Sequence, residues 1–278
     1  MTGYPCGSRA GDKVMESFNI SRTLSRAWRL VVGTLPSAGL FLLVVTILLM
    51  AFNIAAGSAM KPVLPNTSQD SPAGFNVLNL GGYIGGFLVG LIVTLSISSF
   101  SVAGSLYGLL QYGHGNRVSF ADCVRAGILK VLPVLGLMLL WYLAVIVGSV
   151  LLVVPAIMLT IMWSASLPAL INENIGVIRS FGRSRALTKG SRGRIFLLLL
   201  ICLIIVYGGM FAVLGLLAGT NMSGLALAMR NQPALYAAQI PLAWAATSAL
   251  NALLASIYLE TLAINGGGPA GHLDEVFA

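Results

Sequence analysis

Five long stretches of this chain carry no charged side chain. They run from Leu30 to Met60 (31 residues), Ser71 to Asn116 (46), Val131 to Asn172 (42), Ile195 to Met229 (35) and Asn231 to Leu259 (29), with His114 counted as neutral. A helix crosses the hydrocarbon of a bilayer in about 20 apolar residues. Lipid offers backbone N–H and C=O groups no partner, so such stretches must be helical where they cross. A transmembrane barrel would need polar residues at alternate positions. Runs such as Phe196 to Val206 and Leu135 to Leu140 exclude that pattern. Composition agrees: 57% of the 278 residues are hydrophobic and 9% are charged, against about 25% charged in a soluble domain. That excludes an ordinary soluble enzyme and a disordered chain. The expected fold class is all-α and polytopic.

Six spans are placed at about 38–57, within 81–112, two in the 42-residue stretch divided at Val154-Pro155, about 195–218 and about 239–263. Proline restricts the residue before it and suits a helix start, which sets the division. The second stretch has room for two spans. Its first part, Ser71-Pro72-Ala73-Gly74 with Asn76 and Asn79, reads as loop, so one is assigned. Pro168 is the one strong break, inside the fourth span.

Lys and Arg set the orientation. Arg9, Lys13, Arg22, Arg26 and Arg29 precede the first span. Arg117, Arg125 and Lys130 join the second to the third, and Arg179, Arg183, Arg185, Lys189, Arg192 and Arg194 join the fourth to the fifth. Only Lys61 and Arg230 fall on the other side, a division of 14 to 2. The positive-inside rule then puts both termini in the cytoplasm. Five spans would spoil that division. The net charge of +8 is a topology signal and not a nucleic-acid surface, because the basic residues hug membrane edges without stacking aromatics. Ala56-Gly57-Ser58-Ala59 resembles a signal cleavage site. The charged region ahead of it is too long and the apolar run exceeds the roughly 7–15 residues of a signal, so the span is expected to be retained. Residues 1–17 read as a flexible N-terminus in which Met15 is an alternative start to Met1, 18–266 as one transmembrane domain, and 267–278 as a cytoplasmic tail.

Three juxtamembrane segments look alike. Ile20, Leu24, Ala27, Val31 and Leu35 share a helical face, with Arg22, Arg26 and Arg29 largely off it. That predicts an amphipathic helix in the headgroup region. In the second segment Ser119 and Asp122 predict a capping box. Phe120, Val124, Ile128 and Val131 then share a face. Leu35-Pro36 and Leu132-Pro133 are the expected bends into the spans. The third segment, Ile175 to Lys189, puts Val177, Ile178 and Phe181 on one side and Arg179 and Arg183 on the other, with Arg185 intruding. The even spans also end alike: Leu110-Gln-Tyr-Gly113, Ile171-Asn-Glu-Asn-Ile-Gly176 and Ile264-Asn-Gly266. One reading is three units, each an interfacial helix plus a transmembrane hairpin. The other is that juxtamembrane helices commonly resemble one another.

Val153-Val-Pro-Ala-Ile-Met-Leu-Thr-Ile-Met-Trp-Ser-Ala-Ser-Leu-Pro-Ala-Leu-Ile-Asn-Glu173, then Arg179-Ser180 and Arg185-Ala-Leu-Thr-Lys-Gly190, resembles a bacterial membrane family. It includes the membrane domain attached to some glycerophosphodiester phosphodiesterases and stand-alone, uncharacterised inner-membrane proteins. Ala156 replaces the usual Gly of its pattern, and Leu273-Asp-Glu-Val-Phe277 resembles its common ending. The likeness is best over about 118–196. It implies a bacterial inner-membrane location and a structural motif rather than a catalytic one.

The phosphodiesterase chemistry belongs to a separate soluble domain and does not carry over. This chain has two His residues, His114 and His272, and eight acids, none forming a close pair within a span. Acid–base and metal chemistry need such pairs. Cys6, Cys123 and Cys202 are too widely spaced for a zinc site or a disulfide framework. No enzyme, no metal and no cofactor is expected. Gly82, Gly86 and Gly90 form G-x-x-x-G-x-x-x-G, and Gly215 and Gly219 repeat the spacing. Such faces suit close helix packing, within the chain or in a homo-oligomer or with a membrane-protein partner. The polar residues inside spans are Asn53, Thr160, Ser164, Ser166, Thr247, Ser248 and Asn251, of which the Ser and Thr can bond their own helix. Asn251 is harder to satisfy, because its amide carries donors and an acceptor. Trp163 and Trp244 could line a cavity or simply pack, and Trp163 and Asn251 are taken as the cavity candidates. Glu173 and Glu260, near cytoplasmic ends, are expected to be solvated or paired with Arg. The six basic residues from Arg179 to Arg194 are either an orientation signal or a site for anionic lipid headgroups. Two function classes remain: a non-enzymatic module that engages lipid or organises membrane components, and a transporter of a lipidic or amphipathic substrate.

Overall fold

The structure, a computed structural model, describes residues 18–60, 77–151, 153–218 and 232–264. The predicted termini, the Lys61 and Arg230 loops, Cys6 and Gly219 lie outside them. Among the described residues the chain is helical without strands, and six helical stretches are long and apolar enough to cross a membrane: Ile20–Ala56, Ile84–Gly113, Phe120–Ser149, Pro155–Glu173, Arg192–Gly209 and Gln239–Ile264. This is an all-α, multi-pass membrane protein.

Helix α1 (Ile20–Thr34) starts at Asn19, whose Oδ1 accepts from the Ser21 and Arg22 amides at 3.1 and 3.4 Å. A proline normally removes one bond from a helix and bends it. Here Pro36 falls in a π-helical turn, Leu35–Gly39, and the chain continues as α2 (Leu40–Met60). The Trp244 indole donates to the Gly39 carbonyl at 2.8 Å within that turn. Pro133 is likewise absorbed inside α4 (Phe120–Leu151). The expected bends are therefore not breaks. The first juxtamembrane segment is continuous with its span through the π-turn, and the second lies in a single helix. The Ser119–Asp122 cap forms as expected: Asp122 Oδ2 accepts from the Ser119 amide (3.0 Å) and hydroxyl (2.7 Å).

Helix α3 (Val77–Gly113) forms the second span. The fourth consists of α5 (Val153–Met162) and α6 (Ser166–Glu173). The span itself runs from Pro155 to Glu173, beginning where expected. Helix α7 (Val177–Leu187) returns from it, followed by α8 (Arg192–Ala218) and α9 (Gln232–Ile264). The even spans α3, α6 and α9 touch one another pairwise. Each juxtamembrane segment packs on the end of an even span: α4 on α3, α7 on α6, and α1 on α9, which closes the circle. That is the arrangement three equivalent units would make.

The faces these segments bury against the protein are not their apolar stripes, which turn outward where lipid would lie. In α1 the buried residues are Thr23, Ala27, Leu30 and Thr34, while Leu24 is exposed. Early in α4 they are Cys123 and Ala126, while Ile128 is exposed. In α7 they are Ser180, Ser184 and Leu187, while Ile178 is 80% exposed. Lipid is as apolar as leucine, so nothing drives an apolar stripe inward. Small residues face the protein because they let backbones approach.

Candidate functional site

The core is built at the basic end of the bundle. Leu106, Leu110, Val134, Leu137, Leu170, Ile195, Leu253, Ile257 and Tyr258 belong to one buried cluster. Close approach there depends on glycine. A Cβ on Gly104 would lie 2.6 Å from the Cys123 carbonyl oxygen and from the Phe41 ring, and one on Gly108 2.9 Å from Cys123 Sγ. The predicted Gly82–Gly86–Gly90 stripe plays no such part at Gly90, where nothing lies within 4 Å. Gly86 is partly buried, and Gly82 sits in the stretch of α3 whose surroundings fall outside the described residues. Gly215 also faces open space. The packing signal lay instead in Gly104-Ser-Leu-Tyr-Gly108, a second G-x-x-x-G on the same helix.

The predicted basic cluster is divided among different tasks. Arg183 Nε donates to both oxygens of Glu173, at 3.0 and 3.1 Å, and the Tyr258 hydroxyl donates to Glu173 Oε1 at 3.0 Å. Arg194 donates to the Phe18 carbonyl at 2.9 Å. Arg192 Nε is buried without a hydrogen-bond partner. Of the six, Arg179, Arg185 and Lys189 are exposed without such a bond among the described residues. Glu260 lies 3.3 Å from Arg26 and 3.6 Å from Arg22. Arg pairing is thus the fate of both acids. Lys130 donates to the Ile171 carbonyl and to Asn174 Oδ1, capping α6 where Asn174 turns left-handed at φ 51°. Much of the basic charge at this end ties helices together.

Trp163 and Asn251 face the same hollow. They line one cavity of about 380 Å³, with Ser98 and Val102 from α3, Trp141 and Tyr142 from α4, and Leu254 from α9. Every even span contributes to its wall. Asn251 is buried and its Nδ2 donates to Ser105 Oγ at 2.9 Å. Its carbonyl oxygen has no protein partner among the described residues. The hydroxyls of Thr160, Ser164 and Ser166 donate to carbonyls of their own chain segment, as expected. Their lone pairs remain for a guest. Asn251 precedes Glu260 by nine residues, so the cavity lies about 13 Å along α9 from the basic ring.

The cavity adjoins a break in the fourth span. Residues Trp163 to Ala165 form a turn between α5 and α6. Pro168 follows three residues after the turn, within the first turn of α6. Its ring excludes the carbonyl four residues back, and it has no N–H to give. In the first turn of a new helix neither matters. Ser184 on α7 stitches the gap: its hydroxyl donates to the Met162 carbonyl at 2.7 Å and accepts from the Ala165 amide at 3.2 Å. Trp163 packs on Phe181, centroids 4.5 Å apart. The sequence pattern did not reveal this role of α7, because serines on a membrane-edge helix look like solvent contacts. Among the described residues no group of three His, Cys, Asp or Glu could hold a metal ion. No family model, curated protein or solved structure matches the chain.

Proposed function

We propose that this chain is a non-enzymatic membrane protein that holds a lipidic or amphipathic molecule in its central cavity. The cavity carries the reading: it is of ligand size, mostly apolar, and furnished with a few polar groups, as small-molecule sites are. The described acids support a role without acid–base chemistry, since Glu173 and Glu260 are committed to arginines and Asp122 to a helix cap. We place the protein, by its resemblance, with the membrane domains attached to some glycerophosphodiester phosphodiesterases, in the bacterial inner membrane with its basic end in the cytoplasm. An impermeant thiol reagent should label Asn66→Cys from outside the cell and Gly190→Cys only after lysis; equal labelling would overturn that orientation.

The test of the cavity is native mass spectrometry of the full chain released from nanodiscs. The parent should retain an amphipathic molecule that Leu254→Trp, which fills the cavity, and Asn251→Leu, which removes its amide, both release. Equal retention in all three sinks the reading. One observation favours a transporting version: the cavity is lined by a discontinuous helix, as transport sites commonly are. Flux of the retained molecule in proteoliposomes, abolished by Leu254→Trp, would establish it. Retention without flux would leave a binding protein.

A further inference from the structure

A second hollow lies on the outside of the bundle. It is a groove of about 610 Å³ between α1, α8 and α9, and it shares no lining residue with the central cavity. Leu24, Trp28 and Val31 of α1, Ile201 and Ile205 of α8, and Leu253 of α9 make its walls apolar. One end differs. Ile20 and Ser21, the first residues of α1, line it there, and Phe18 just before them accepts from Arg194. On α8, Arg194 stands one turn ahead of Leu198, with Ile201 and Ile205 following on the same face. Arg194 therefore sits at the mouth of the groove. It is exposed, and its single hydrogen bond to Phe18 leaves the rest of the guanidinium fork without a partner among the described residues.

An apolar channel closed at one end by an available guanidinium has the polarity of a membrane phospholipid. We infer that the groove binds a glycerophospholipid with an anionic headgroup, its phosphate on Arg194 and an acyl chain along α8. An arginine fork can hold a phosphate through two bonds at once. This site moves headgroup recognition away from Arg183, which Glu173 occupies. It does not depend on what fills the central cavity.

The experiment uses the full chain in liposomes containing a phosphatidylglycerol probe with a photoactivatable acyl chain. A matched phosphatidylcholine probe is run in parallel. Crosslinks should concentrate on peptides covering 20–31 and 195–206, with phosphatidylglycerol labelling at least five-fold above phosphatidylcholine. Arg194→Gln keeps a donor for the Phe18 carbonyl and should erase that preference while leaving phosphatidylcholine labelling unchanged. Ala249→Trp, which fills the groove from α9, should lower labelling by both probes. Arg179→Gln, on the exposed side of α7, should change neither. The inference is overturned if labelling spreads evenly over the exposed faces of α3 and α8, or if the preference survives Arg194→Gln. It is equally overturned if the preference disappears with Arg179→Gln instead.

Discussion

Helix α3 passes through both halves of the molecule and is held differently in each. From Ala103 to Leu106 and from Gly108 to Leu110 it is buried, against α4, α1 and α9. From Ile84 to Ile92 it is mostly exposed, with Phe87 at 65% and Val89 at 63%. Helix α9 repeats the pattern, exposed or partly buried from Gln239 to Thr247 and buried from Asn251 to Ser256 apart from Leu254. At the basic end, helices are joined by glycine contacts, ion pairs and the bonds across the break. At the far end each helix satisfies its own backbone, and the bilayer is left to cover its side chains. Stability is therefore concentrated at the basic end, and the central cavity lies where the packed half gives way to the splayed one.

The sharpest challenge to this contrast is to enlarge one glycine in each half. Gly104→Leu must displace the Cys123 backbone and the Phe41 ring. Overpacking of that kind costs about 3 kcal/mol or more when backbone blocks relaxation. Gly90→Leu enters open space and should stay within about 0.5 kcal/mol. Thermal unfolding in mild detergent reads the difference. Equal losses would mean that the far half is packed too.

The second expected effect separates a buried charge from an exposed one. Glu260 is 2% exposed and faces Arg22 and Arg26, whose side chains are 45% and 33% exposed. Glu260→Ala leaves two cations around a buried site and should cost about 2–3 kcal/mol. Arg22→Ala leaves Arg26 in place and should cost less than about 1 kcal/mol. The same unfolding measurement checks both. A larger loss from Arg22→Ala would locate the stabilising partner on α1 rather than on α9.

The span count and the six stretches were legible because hydrocarbon forbids charge, so charge-free length reports crossings directly. The Ser119–Asp122 cap was legible because its chemistry is local. Asn251 was legible because a buried amide must find partners, and Trp163 joined it in one cavity. What the pattern left open was the face that packs inward. Leu24, Ile128 and Ile178, on the apolar stripes read as headgroup-region faces, turn outward, whereas Thr23, Cys123 and Ser184 are the buried residues. Rules for burial learned in water invert where the solvent is lipid. Pairs such as Arg26 with Glu260, separated by 234 residues, have no local signature. The division of the basic cluster was hidden for the same reason.

The third effect concerns the bonds across the break. Ser184→Ala removes the acceptor of the Ala165 amide and the shorter of two donors to the Met162 carbonyl, leaving it the 3.4 Å bond from the Thr188 hydroxyl, and lipid offers these backbone groups no replacement. A loss of about 1–2 kcal/mol is expected. Ser96→Ala, whose hydroxyl bonds only the Ile92 carbonyl of its own helix on an exposed face, should cost less than about 0.5 kcal/mol. Equal small effects would show that water already serves the break, which would make the cavity wetter than its walls suggest.

The smallest effect is expected at Pro168, and it decides what keeps the fourth span broken. If the proline alone prevents helix continuation, Pro168→Ala should let α5 and α6 fuse. The geometry argues otherwise. The proline already sits in the first turn of α6, where it has no bond to lose, and Ser184 holds the two ends apart by occupying groups that a continuous helix would pair. Pro168→Ala alone should therefore keep the break and cost about 0.5–1 kcal/mol, mainly through the freer unfolded chain. With Ser184→Ala added, only the 3.4 Å bond from Thr188 to the Met162 carbonyl remains, and the carbonyls of Ile161, Met162 and Trp163 can accept the amides of Ala165, Ser166 and Leu167. Hydrogen exchange at those three amides should be unchanged by the single proline variant and slowed in the double variant. Slowing in the single variant would assign the break to proline alone. No slowing in either would assign it to the packing of Trp163 on Phe181, and so to the wall of the cavity itself.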